Sequence, residues 1–272
     1  MFQIKKFLDN DDVNVINQQG NIRIIEYAKD LSVNPYNCIN KYYAAKMNVR
    51  KRQALIELKN DQYITSAGAM QWTVGNVNAD SDVKGVGDFL GKALKGSVTK
   101  ESTIKPKYSG NGFLMLEPTY NHLIIEDLST WGNGMVIDDG MFLACQATIN
   151  YNVVMRSNLS SAVLGNQGLF SLKLSGNGLA ILESPIPREE LIEIVLENDT
   201  IKIDGNFAIA WSDTLEFSVE RSGKSLIGSA ASNEGFVNVY RGTGKLLLAP
   251  VLSLTNYSTN SLSNLSTPKT GR

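Results

Sequence analysis

Hydrophobic and polar residues alternate in short runs along most of the chain. In the stretch 215–220, Leu215, Phe217 and Val219 alternate with glutamate and serine, and the stretch 149–153 shows the same pattern. A period of two residues is typical of a strand with one buried and one solvated face. Because these runs are short and separated by turn residues, the pattern predicts an all-β protein.

The pattern also recurs. Three glycine triplets begin at Gly110, Gly176 and Gly242, at intervals of 66 residues. At the same spacing Asp138 matches Asp204, Ala144 matches Ala210, Thr148 matches Thr214, Val153 matches Val219, Phe170 matches Phe236 and Leu182 matches Leu248. A fixed period indicates repeated structural units. We therefore predict a β domain over 49–252, built from three similar blocks of short antiparallel strands at about 49–118, 119–184 and 185–250, packed as a sandwich or rolled sheet.

Each glycine triplet lies between two strand-like runs. We therefore predict three tight hairpin turns, since Asn-Gly is a strong hairpin signal. A phosphate-binding glycine loop would lead from a strand into a helix. The triplets at Gly110 and Gly176 instead lead into the apolar runs 113–116 and 179–182. The triplets thus favour turn formation over nucleotide binding.

Two segments flank the β domain. Residues 1–48 predict an N-terminal extension with a hairpin around Gln19-Gly20 and a short helix. We expect the helix to begin at Asn34-Pro35, with asparagine as N-cap and proline in the first helical position. Residues 253–272 are rich in serine, threonine and asparagine, and we expect a polar tail without stable structure.

A second helix is predicted over 85–96, where apolar residues recur at helical spacing. Three positions for it stay open: packing on the sheet, contact with another subunit, or weak contact with a membrane surface. We take its side chains, together with one tryptophan, as a candidate interaction surface: Val86, Phe89, Leu90, Lys92, Leu94, Lys95 and Trp131. Trp131 lies in a glycine-rich loop and is either buried at a sheet edge or an exposed anchor for a partner.

Composition narrows the class of protein. Of the 272 residues, 43% are hydrophobic and only 19% charged, which favours an ordered globular chain, and the net charge of −1 makes nucleic acid an improbable partner. Cys38 and Cys145 lie in unrelated contexts, so we expect two buried thiols in a reducing cytoplasm. No run of apolar residues is long enough to span a membrane.

Residues that could carry catalysis are few. His122 is the only histidine, and no nucleophile motif accompanies it. Asp138, Asp139 and Asp204 lie at equivalent turns, where aspartate commonly stabilises the backbone, although a carboxylate-dependent hydrolase stays open. A basic cluster of Lys46, Arg50, Lys51 and Arg52 is expected to be a solvated junction. We therefore expect no cofactor or metal and lean away from an enzyme.

An ordered set of motifs resembles one known family. It comprises Gly68-Ala69-Met70, the helix-like segment 85–96, the first glycine triplet, Phe142-Leu143-Ala144, the run 166–170, the second triplet, Ala210-Trp211-Ser212-Asp213 and the third triplet. In this order they resemble the altered-inheritance-of-mitochondria protein 24 family over roughly residues 50–250. The resemblance covers the β domain and supplies no ligand-binding residues.

The resemblance implies a β fold like that of the trp RNA-binding attenuation protein, a relative of the double-stranded β-helix, with no established enzymatic activity. Eukaryotic members are linked to the inner mitochondrial membrane, but this chain carries no presequence, so we expect a bacterial, cytoplasmic protein. We therefore expect a non-enzymatic scaffold that forms a homo-oligomer or binds an unknown protein partner. The alternatives are a small-ligand or RNA-binding module and a hydrolase.

Overall fold

The computed structural model describes residues 2–30, 32–81, 105–155, 170–221 and 236–251. Within these ranges the chain forms fifteen strands, one α-helix and short 3-10 turns. The predicted all-β class is confirmed. The predicted helix over 85–96 and the polar tail lie outside the described residues.

The elements follow one another in this order: β1 Val13–Gln19, β2 Ile22–Tyr27, α1 Cys38–Lys46, β3 Arg52–Thr65, β4 Met70–Ser81, β5 Pro106–Leu116, β6 His122–Asp127, β7 Met135–Ile137, β8 Phe142–Gln146, β9 Ile149–Met155, β10 Phe170–Gly176, β11 Leu179–Ser184, β12 Ile192–Ile203, β13 Ala208–Ser212, β14 Glu216–Arg221 and β15 Phe236–Leu248.

The strands form two curled antiparallel sheets. The first has eight strands in the order β1-β2-β3-β8-β11-β6, with β5 paired to β3 and β4 paired to β5. The second has seven strands in the order β12-β15-β13-β7-β10-β9, with β14 paired to β15. From the middle of the chain, β7, β9 and β10 thus belong to the second sheet, while β6, β8 and β11 belong to the first.

Adjacent blocks are joined by strand pairing in one register. Between the first and second blocks, Thr65 of β3 lies opposite Ala144 of β8. Between the second and third blocks, Ile137 of β7 lies opposite Ala210 of β13. Ala144 and Ala210 are 66 residues apart, so the two junctions use equivalent positions.

The glycine triplets are not hairpin turns, contrary to the sequence prediction. The first lies inside β5 and the third inside β15, while the second lies where the chain leaves β10 in one sheet and enters β11 in the other. Gly110, Gly176 and Gly242 all have positive φ, at 124°, 109° and 122°. Positive φ at these glycines lets the chain bend without turning back, and the first and third triplets lie opposite β-bulges or register irregularities in β3 and β12.

Contacts around the second and third triplets recur at the same spacing. The Thr148 hydroxyl donates to the Asn177 carbonyl at 2.6 Å, and the Thr214 hydroxyl donates to the Thr243 carbonyl at 2.7 Å. In addition, the Leu179 amide donates to the Gln146 side chain, and the Lys245 amide donates to the Ser212 hydroxyl, again 66 residues on.

The N-terminal hairpin forms around Gln19-Gly20, and β2 pairs with β3 of the first sheet. The helix begins at Cys38, three residues later than predicted. The Asn34 side chain accepts hydrogen bonds from the amides of Tyr36 and Asn37, at 2.9 and 3.2 Å. Asn34 therefore closes a turn that precedes α1, because asparagine readily accepts from the amide two residues on.

The core lies between successive blocks. Ala54, Ile56 and Leu114 of the first block pack with Ala144 and Ile181 of the second. A further cluster joins Ile124 and Leu174 of the second block to Ala210 and Leu247 of the third. In the described part of the chain, no helix is both long and apolar enough to cross a membrane.

Candidate interaction surface

Of the seven residues predicted as an interaction surface, six lie in the segment 85–96, outside the described residues. The seventh, Trp131, ends a 3-10 turn spanning Leu128–Trp131 and is only 1% exposed. The side chain is therefore buried. This rules out the alternative that Trp131 is an exposed anchor for a partner.

Trp131 is held by one charged neighbour close in sequence and one from the third block. Its indole Nε1–H donates to Glu126 Oε2 at 3.0 Å, and the Lys245 ammonium lies 4.3 Å from its ring centroid. The same Glu126 accepts from Arg188 Nε at 2.8 Å. A buried indole needs such a partner for its N–H, so this cluster is structural.

The predicted basic junction is partly buried, which corrects the expectation that it is solvated. Arg52 is 1% exposed, and its Nη2 lies 2.7 Å from Glu26 Oε2. Arg50 Nη1 approaches the other oxygen of Glu26 at 3.0 Å. Burial of a guanidinium requires a paired charge, and Glu26 of the N-terminal hairpin supplies it.

His122 lies beside this ion cluster, at the edge of a cavity of about 270 Å³. Its pKa is lowered from the ordinary value, first by burial and then by the positive charge of Arg52, against a smaller opposing effect of Glu26. The imidazole is therefore neutral at pH 7. The residues that line the cavity include no serine, threonine or cysteine, so this histidine has no nucleophile to activate there.

The two cysteines differ in environment. Cys145 is fully buried in β8, and burial raises the pKa of its thiol to about 12. Cys38 is exposed at the first position of α1, a helix in which no residue is buried. The prediction of two buried thiols is therefore wrong for Cys38.

The aspartates with repeated spacing lie in turns. Asp138 lies between β7 and β8, and Asp204 lies between β12 and β13. The glycines that follow in these turns, Gly140 and Gly205, have φ of 85° and 80°. Within the described ranges, no three His, Cys, Asp or Glu side chains are close enough together to hold a metal ion.

In the first and second blocks, one face packs against the block that follows, and we call this face the inner face. The inner face of the third block is the face with the equivalent residues. Leu55 pairs with Met115 in the first block, and Glu193 pairs with Leu247 in the third. Because Met115 and Leu247 are equivalent at the repeat spacing, the residues that precede their partners, Ala54 and Ile192, are equivalent too. In the second block Ile124 pairs with Leu182, as Ile192 pairs with Leu248 in the third. Ala54, Ile124 and Ile192 therefore mark the inner faces of the three blocks.

These equivalent residues differ sharply in exposure. Ala54 is 0% exposed and Ile124 is 3% exposed, because each is covered by the next block. Ile192 is 50% exposed. Ile192 is therefore an exposed residue at the start of β12, although the same face is buried further along at Leu196 and Leu246.

The opposite, outer face of each block receives the block before it. Ile181 is buried against the first block and Leu247 against the second. Met115, 66 residues before Ile181, is equally buried at 1% exposure, but it packs with Phe7 and Trp72. Residues 2–12, which we call the N-terminal strap, thus contribute to covering the outer face of the first block.

The ends of the two sheets also differ from the junctions between blocks. Strand β12 pairs only with β15, and β4 pairs only with β5, among the residues that the structure describes. Lys202 of β12 occupies the position that Ile64 and Val136 occupy at the two junctions. A lysine on a free strand edge hinders unintended pairing.

Sequence reasoning missed these faces because it concentrated on glycines and on the segment 85–96. A usable signal was present: Ile64 and Val136 are apolar at the position where the third block has Lys202. That substitution distinguishes the last block from the other two. The matching residues, however, become visible only when the strand pairing gives the register.

Comparisons with known proteins agree with this fold. A family model described as mitochondrial biogenesis AIM24 matches residues 46–251. An uncharacterised protein of Streptococcus pyogenes serotype M6 is 28% identical over 188 residues, which are 66% of this chain and 73% of that relative. The X-ray crystal structure of a Streptococcus pyogenes protein matches with a TM-score of 0.58 at 22% identity, covering 90% of this chain and 100% of that chain.

Proposed function

The chain belongs to the mitochondrial biogenesis AIM24 family, as its ordered motifs predicted, and we propose that it acts as a non-enzymatic assembly protein that associates with copies of itself. One observation carries this proposal. Ile192 is 50% exposed, whereas the equivalent Ala54 and Ile124 are buried beneath a neighbouring block. Among the described residues, this position is covered in the first two blocks and exposed in the third.

Two features of the surrounding surface support the proposal. Ile194, two residues along the same face of β12, is only partly buried, so the apolar surface extends beyond Ile192. Contiguous apolar patches of this kind mark interaction sites more often than isolated exposed residues do. Among the described residues, strand β12 also pairs on one side only, so its other edge offers a second chain a place to lie.

We further propose that the three blocks are copies of one unit and that the protein works in a bacterial cytoplasm. The hydrogen bonds of Thr148 and Thr214 to the second and third triplets, 66 residues apart, support the first point. The free thiols of Cys38 and Cys145 and the streptococcal relative are consistent with the second.

Light scattering at several micromolar concentrations tests self-association. We expect the weight-average mass of the wild-type chain to rise reversibly with concentration, and Ile192→Lys to reduce that rise. The matched control is Val195→Lys, because Val195 is also an exposed apolar residue of β12 but lies on the opposite face. A wild-type chain that stays monomeric throughout, or equal loss in both variants, would refute the proposal.

A second candidate function rests on the surface of α1. Tyr42 and Tyr43 are 59% and 64% exposed, and Lys41 and Lys46 lie on the same helix. Aromatic rings with nearby cations can stack and hold single-stranded nucleic acid. Salt-sensitive binding of a labelled single-stranded RNA, lost in Tyr42→Ala with Tyr43→Ala, would establish this function in place of the first.

A further inference from the structure

We propose that the cavity beside Arg52 and His122 binds an uncharged molecule that carries several hydroxyl groups and has the size of a monosaccharide. This site goes beyond the proposed self-association and does not depend on it. Its lining combines a buried donor without a partner, a balanced set of charges, and a mixture of polar and apolar side chains.

The cavity lies where several parts of the chain meet. Its lining includes Ile16 and Asn17 of β1, Arg52 at the start of β3, His122 at the start of β6, and residues 187–189, which lead to β12. Strands β1 and β6 stand at the two ends of the strand order of the first sheet, and they do not pair with each other in the described part of the chain. A cavity with walls from several elements is formed by the fold itself, as small-molecule sites usually are.

One polar atom in the lining lacks a partner. Arg52 is 1% exposed, and its Nη2 donates to Asn48 Oδ1 at 2.9 Å and lies 2.7 Å from Glu26 Oε2. Its Nε–H, by contrast, has no hydrogen-bond partner among the residues that the structure describes. A buried donor without an acceptor destabilises the folded state. A ligand that brings an oxygen atom to Nε would supply the missing acceptor.

The neighbouring side chains offer both donors and acceptors. His122 is neutral at pH 7, so its ring presents one N–H donor and one acceptor nitrogen. Asn17 adds a side-chain amide, which can donate and accept, and Glu189 adds a carboxylate, which accepts. A hydroxyl group likewise both donates and accepts. Several hydroxyl groups on one molecule therefore match this lining better than a ligand that only donates or only accepts.

The charges around the cavity balance, which argues against an ionic ligand. The lining contains two arginines and two glutamates. Both arginines are already paired, Arg52 with Glu26 at 2.7 Å and Arg188 with Glu126 at 2.8 Å. An anion would have to compete with these carboxylates and approach Glu189, whereas a cation would face the two guanidinium groups. An uncharged ligand avoids both costs.

The dimensions suit a single sugar ring. The cavity volume is about 270 Å³, and because a water molecule occupies about 30 Å³ in the liquid, this space corresponds to about nine waters. Ile16, which is 49% exposed, and Pro187 add apolar surface to the lining. The C–H groups on one face of a sugar ring can pack on such a surface, while the hydroxyl groups at its edge reach the polar side chains.

The test titrates the full chain with glucose, galactose and N-acetylglucosamine, and with sodium acetate as a charged comparison. Saturation-transfer NMR detects binding and gives the dissociation constants. We expect at least one sugar to bind with a dissociation constant below about 100 mM and acetate to bind about tenfold more weakly. The proposal is overturned if no sugar binds saturably, in which case the cavity holds water only, or if acetate binds more tightly than the sugars.

Two substitutions on β1 show whether the sugar occupies this cavity. Ile16→Trp places a large ring in the cavity and should weaken binding about tenfold or more through steric overlap. The matched control is Val15→Trp, because Val15 is the neighbouring residue, has a similar exposure of 44% and does not line the cavity. Equal affinities of the two variants would place the sugar elsewhere and refute the site.

A third variant tests the polar contacts without filling the cavity. His122→Phe keeps a ring at this position but removes its donor and its acceptor, and should weaken sugar binding about fivefold. Circular dichroism shows whether each variant is folded. If Ile16→Trp does not fold, His122→Phe carries the same test, and an unchanged affinity in that variant would count against the site.

A free sugar and the end of a longer glycan present the same hydroxyl groups. The methyl glycoside of the sugar that binds best distinguishes these sources, because its anomeric hydroxyl is blocked as it is in a glycan. Equal binding of the glycoside indicates a glycan end, and loss of binding indicates a free sugar. Both results support the proposal.

Discussion

The guanidinium of Arg52 and the carboxylate of Glu26 form an ion pair at 2.7 Å that is almost fully removed from solvent, with side-chain exposures of 1% and 10%. Arg52 lies at the start of β3 and Glu26 in β2, so the pair fastens the N-terminal hairpin to the first block. Arg52 Nε has no hydrogen-bond partner in the described part of the chain, which makes Glu26 its essential counter-charge.

Replacement of Glu26 by glutamine should therefore be costly. Removing one partner of a buried pair leaves an uncompensated charge and typically lowers the free energy of unfolding by about 3 kcal/mol or more. Urea unfolding followed by circular dichroism measures the loss. As a control, Glu57→Gln affects a more exposed pair with Arg23 at 3.6 Å and should cost less than about 1 kcal/mol. Equal losses in the two variants would contradict this account.

A methyl group at Gly110 should also destabilise the protein, because a Cβ there would lie 2.1 Å from the Asn76 carbonyl oxygen. With φ at 124°, the backbone also disfavours any side chain. We expect Gly110→Ala to lower the free energy of unfolding by more than about 2 kcal/mol.

The matched control for Gly110 is Gly68→Ala. Gly68 also has positive φ, at 76°, but a Cβ there would meet nothing within 4 Å. Gly68→Ala should therefore lower the free energy of unfolding by only about 1 kcal/mol, which is the cost of a side chain at positive φ. A Gly110→Ala chain as stable as Gly68→Ala would show that the strands can separate at the bulge without loss.

The two thiols should react at very different rates. Cys38 is exposed, whereas Cys145 is buried with its pKa raised to about 12, so its reactive thiolate is scarce in the folded protein. A thiol reagent at pH 8 should modify one cysteine at once and the second only after denaturant is added. Cys38→Ser provides the control, since it should remove the fast phase; rapid modification of that variant would place Cys145 at the surface.

Short-range patterns predicted the parts of the fold that depend on neighbouring residues. The alternation in 149–153 corresponds to β9, and the residues around Gln19-Gly20 form the β1–β2 hairpin. The glycine triplets were misjudged because a sequence does not distinguish a turn between two strands from a bulge inside one long strand. Gly110 needs positive φ in either case.

Features that depend on distant residues were less accessible. Burial of Arg52 follows from Glu26, and burial of Trp131 follows from Glu126 and Lys245, and neither pairing has a local pattern. Exposure of Ile192 follows from its place at the start of β12, which pairs on one side only among the described residues. A sequence shows that Ile192 is apolar, but only the folded chain shows that half of its surface is exposed.

Lys202 offers a direct test of whether a charge on the edge strand β12 limits self-association. At the two internal junctions this position holds Ile64 and Val136, whereas Lys202 is exposed and lies 3.7 Å from Glu220. We expect Lys202→Ile to strengthen self-association, because it restores the apolar residue used at the other junctions and removes an edge charge. An increase in mass at a fixed concentration in light scattering measures the effect.

Two controls make this last prediction specific. Lys202→Gln removes the charge without adding an apolar side chain and should strengthen association less than Lys202→Ile does. Lys202→Ile combined with Ile192→Lys should be no larger than Ile192→Lys alone, because association would still require the face that contains Ile192. If the double variant still forms large species, the added isoleucine promotes aggregation through another surface. In that case the equivalence of Lys202 with Ile64 and Val136 has no role in assembly.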